Sequence, residues 1–150
     1  MTNTNPGVQT PTQVTKRAEL KKNARNGSVY FFWIAFFSIF NQIMDMLSAK
    51  RRFVFGLGAP QFFARSLTVP NPALIWMVIV ILAIIFVVIG IFSRRGNIPI
   101  YVLGIIFYVA DMVLSLLSGD IVGAVVHVVF TVLLVMGLIA TIKLKDQAPV

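Results

Sequence analysis

There is no cysteine in this chain, one histidine, and five acidic residues against 13 Lys and Arg. The first absence excludes a disulfide framework and a thiolate site. Catalytic signatures are missing too: no HExxH, no GxSxG, no phosphate-binding Gly-rich loop and no CxxC occurs. Ser28, Ser38 and Ser115 have no placed base, and Gly56 and Gly58 around Leu57 suit a turn better than a phosphate cradle. An enzyme would have to rest on Asp45, Asp111 and His127 alone, so the sequence points away from one. No cofactor is implied.

Charge is scarcest within long blocks. The chain is 58% hydrophobic, and its apolar residues run in stretches long enough to cross a ~30 Å hydrocarbon layer at ~1.5 Å per helical residue. This pattern places the chain in the membrane rather than in a soluble domain. A net charge of +8 could suggest nucleic acid, but the cations gather in the N-terminal stretch and at segment ends. The positive-inside bias explains that distribution, and no readable element is left outside the membrane to bind nucleic acid.

Residues 1–15, rich in Thr, Asn, Pro and Gln, read as disordered. Lys16, Arg17, Lys21, Lys22 and Arg25 follow, relieved only by Glu19; they form either a topogenic charge cluster, the favoured reading, or a short helix on anionic lipid. The first span covers residues 29–47 (VYFFWIAFFSIFNQIMDML). It lacks an A-x-A-like cleavage site, so it reads as a retained span rather than a signal peptide. Residues 48–72 hold apolar pieces too short to cross, broken by Gly56, Gly58 and Pro60, and suit an interfacial or partly re-entrant segment. The second span, residues 73–92, has no charge. The third and fourth, residues 98–117 and 121–142, form a hairpin around Ser118-Gly119-Asp120.

The expected fold is therefore all-α, a four-transmembrane-helix bundle with that interfacial or re-entrant segment between helices 1 and 2. Its divisions are a flexible basic cytoplasmic tail (1–27), a membrane bundle (28–142) and a short cytoplasmic C-terminal tail (143–150). With the N terminus inside, nine cations lie on the inner side and Lys50, Arg51, Arg52 and Arg65 on the outer. The count favours both termini in the cytoplasm and a multi-pass protein of the cell inner membrane.

Ionisable groups inside a bilayer are costly and mark polar sites by default. Asp111 lies about six residues before the third span ends and His127 about six after the fourth begins, so both sit roughly 9 Å below the same boundary. Tyr101, Gly104, Tyr108, Asp111, Ser115 and Ser118 share one stripe, as do Gly123, His127 and Thr131. On the first span, Ser38, Asn41, Asp45 and Ser48 share a face. The candidate site thus comprises Asn41, Asp45, Tyr108, Asp111, Ser115, His127 and Thr131.

The aromatic start NGSVYFFWIAFFSIFN, the following FVFGLG, and the pairing of YVADMVL with a helix containing VVHVVF resemble small bacterial integral membrane proteins of unassigned function. The resemblance implies a four-helix membrane protein in which Asp111 and His127 correspond to a recurring polar pair; it supplies no chemistry. The basic cluster Lys50 to Arg52 departs from the less basic connection expected there.

Three readings of the site follow. The favoured one is an interhelical staple in a structural or interaction subunit, whose partners are the lipid bilayer and a second copy or another membrane protein. An alternative is a proton- or cation-coupled channel or transporter component. The third is a divalent metal site, which would need Asp45 as a third ligand.

Overall fold

The computed structural model describes residues 11–47, 57–59, 62 and 71–147, apart from the side chains of Pro11 and Asp45. Four long helices dominate them: α1 (Pro11–Leu47), α2 (Pro72–Arg94), α3 (Ile98–Leu117) and α4 (Ile121–Asp146). All four are long and apolar enough to cross a membrane. Most of the connection read as interfacial or re-entrant, including Lys50 to Arg52, Phe53 and Arg65, lies outside the described residues.

Helix boundaries follow local chemistry. The Asn71 side chain accepts from Ala73 N–H at 3.0 Å and Pro72 opens α2, where a missing N–H costs nothing. Asn97 accepts from Ile100 N–H at 3.3 Å to start α3, after a turn in which Gly96 adopts φ +76°. Asp120 accepts from Gly123 N–H at 2.9 Å to start α4.

The first helix begins 18 residues before the apolar run at Val29 and takes in the basic stretch. Its 12–26 portion contains neither Gly nor Pro and is rich in Lys, Arg, Ala, Leu and Glu, strong helix formers. The cations therefore lie on a continuation of the spanning helix.

Each helix packs chiefly on two neighbours, so α1, α2, α3 and α4 close into a ring. Lipid gives little hydrophobic drive for helix association, so close packing must supply it. Phe31, fully buried, stacks on Phe86 at 6.3 Å and meets the edge of Tyr101 at 5.2 Å. Gly104 lets Phe31 and Ile89 close on α3. Gly27 and Gly137 bring the backbones of α1 and α4 together against the Tyr101 hydroxyl; a Cβ on either would overlap the other's Cα. Exposed Val122, Val125, Val129, Val132 and Met136 give α4 an apolar outer face suited to lipid.

Candidate functional site

Asp111 and His127 come together as their spacing from the shared turn requires. The Ser118 hydroxyl donates to Leu114 O at 2.7 Å, Gly119 takes φ +73°, and Asp120 N–H returns to Ser115 O at 3.0 Å. That closure aligns the buried stripes of α3 and α4. His127 Nε2 lies 2.8 Å from Asp111 Oδ2, with the two residues 1% and 5% exposed.

The partners of Asp111 extend beyond the hairpin. Its Oδ2 also accepts from Gly58 N–H at 2.7 Å, and Oδ1 accepts from Ala59 N–H at 2.8 Å. Leu57, Gly58 and Ala59 are buried against the bundle. Close approach requires glycine at 58, because a Cβ there would lie 2.7 Å from both Ser115 Cβ and Ser115 N. One carboxylate thus binds two consecutive backbone donors from outside the hairpin and a ring from α4.

His127 is fully engaged as well. Its Nδ1 is 2.7 Å from Gly123 O, an acceptor only, so Nδ1 carries a proton and donates. Nε2 then faces Asp111 Oδ2 at 2.8 Å. Tyr108 covers the imidazole at 4.6 Å and 18° between planes, and Phe130 closes on the Tyr108 ring at 6.4 Å.

The other candidates divide. Tyr108 joins the cluster by stacking. Ser115 supports it indirectly, carrying the surface on which Gly58 rests and donating weakly to Asp120 O at 3.4 Å. Asn41 and Thr131 are not brought into the network: Asn41 Oδ1 and Thr131 Oγ1 are buried without a hydrogen-bond partner. The Asp45 side chain lies outside the described residues. Sequence reasoning missed the Gly58 and Ala59 amides, since backbone donors have no side-chain signature; the Gly56, Gly58, Pro60 interruption was the available signal.

Both His127 nitrogens are occupied, and both Asp111 oxygens accept backbone donors. Among the described residues no three His, Cys, Asp or Glu side chains converge as a metal site. The metal reading therefore has no support. Comparison with family models, curated proteins and solved structures gives no match. What stands is the architecture, a largely apolar four-helix bundle consistent with a multi-pass integral membrane protein.

Proposed function

We propose that this is a structural or interaction subunit of the cell inner membrane, with both termini cytoplasmic, in which Asp111 and His127 fasten the segment at residues 57–59 to the α3–α4 hairpin. The observation carrying this reading is the closed donor set on Asp111: Gly58 N–H, Ala59 N–H and the His127 ring. Polar groups so fully matched serve packing and specificity within a bilayer. A second copy of the chain or another membrane protein is the partner such a subunit serves.

The test is assembly and unfolding of the purified protein in lipid discs. Asp111→Ala and His127→Ala should each lower stability and weaken assembly. Wild-type behaviour in both variants would overturn the staple.

A second reading, proton- or cation-coupled transport, draws on the buried Asp111–His127 contact and on the unpartnered oxygens of Asn41 and Thr131. Single cysteines at 111 and 127, in a chain without native cysteine, discriminate the two. Labelling from one aqueous side, blocked by protons or cations, would favour transport. Protection from both sides in folded protein would favour the staple.

A further inference from the structure

Among the described residues, α1 and α4 alone carry the helical bundle past the α2–α3 turn at Arg94, Arg95 and Gly96. The 37 residues of α1 measure about 55 Å, far more than the ~30 Å hydrocarbon layer requires. Packing sets the register: Gly90 meets Phe31 and Phe32, and Gly27 meets Gly137. Residues 11–24 therefore extend beyond the turn beside the last turns of α4. A cleft of about 380 Å³ is lined there by Gln13, Lys16, Arg17 and Gln147.

Its electrostatics are one-sided. This end of the bundle carries Lys16, Arg17, Lys21, Lys22, Arg25, Lys143 and Lys145 against Glu19 and Asp146. Among the described residues, none of these cations is within ion-pair distance of a carboxylate; the ion pair found is His127 with Asp111. Lys16 and Arg17 precede Gly27 by about ten residues, or ~15 Å of helix. Headgroups occupy only the first ~5–7 Å beyond the hydrocarbon, and the Debye length at physiological salt is ~8 Å. With the hydrocarbon edge taken at the start of the apolar run, Val29, the residues Arg25, Lys22 and Lys21 lie nearer the lipid phosphates and Lys16 and Arg17 farther into solution.

We propose that the cleft binds a multiply charged phosphate from solution. The Arg17 guanidinium supplies a planar fork for two phosphate oxygens, Lys16 a compact second charge, and the Gln147 amide a neutral donor.

Tripolyphosphate is the probe, titrated calorimetrically into full-length protein in phosphatidylcholine discs. Saturable binding is expected, weakened about tenfold or more by Lys16→Ala with Arg17→Ala. Arg17→Lys, which keeps the charge, should still weaken it severalfold. Unchanged affinity in Arg17→Lys, with equal losses from Lys16→Ala and Lys22→Ala, would mean diffuse attraction and overturn the site. Adding phosphatidylglycerol to the discs should leave binding in place; its abolition would assign the cleft to lipid headgroups and overturn the aqueous assignment. No binding by the wild type would overturn the proposal outright.

Discussion

His127 Nε2 and Asp111 Oδ2 stand 2.8 Å apart across the α3–α4 interface, and the same Asp111 oxygen accepts from Gly58 N–H. The pair thus joins three parts of the chain. Truncating one partner strands the other and exposes buried donors without acceptors. Asp111→Ala should cost about 3 kcal/mol of stability. A double-mutant cycle with His127→Ala should give a coupling of about 1–3 kcal/mol in reversible unfolding in detergent or discs; additive losses would exclude the pair as their source.

Gly58→Ala should dislodge the inserted segment. The new Cβ would meet Ser115 N and Cα at 2.7 and 2.8 Å as well as its Cβ at 2.7 Å. Ser115→Gly on the same chain should therefore recover only part of the stability, because backbone atoms remain in the way. Full recovery in thermal unfolding would contradict this packing.

Tyr101 provides a contrast. Its side chain is fully buried and its hydroxyl has no hydrogen-bond partner, so Tyr101→Phe removes an unmatched polar group and should be neutral or stabilising by up to about 1 kcal/mol. Gly137→Ala, at the same crossing, should destabilise by more than 1 kcal/mol, since its Cβ would overlap Gly27. Paired melting curves of the two variants read both effects.

Asp120 is the N-cap of α4, accepting from Gly123 N–H. Asp120→Ala should cost about 1 kcal/mol. Faster amide exchange should be confined at first to the opening turn of α4. Exchange spread evenly over the helix would argue against a local cap.

Much of this architecture is legible in residue order. The third span matches α3 end to end, and the second differs from α2 by one residue at its start and two at its end, because Pro, Asn and Arg punctuate apolar runs sharply. The Asp111–His127 pairing follows from equal spacing about a tight turn. Two features resisted that reading. The extent of α1 is hidden because apolar periodicity reports lipid or core contact, while its basic portion carries helix propensity without such a face. The donors of Gly58 and Ala59 are hidden because the main chain is chemically alike at every position, and only tertiary contact shows which amides Asp111 receives.

The hydrogen bonds at Asp111 also impose an order of assembly. Gly58 precedes its acceptor by 53 positions in the chain, a delay on the order of 3–10 s at synthesis rates of ~5–20 residues per second. The histidine that completes the contact emerges later still. Residues 57–59 must therefore reach their final seat after the hairpin that receives them has been made, so the earlier part of the chain is finished by the later one.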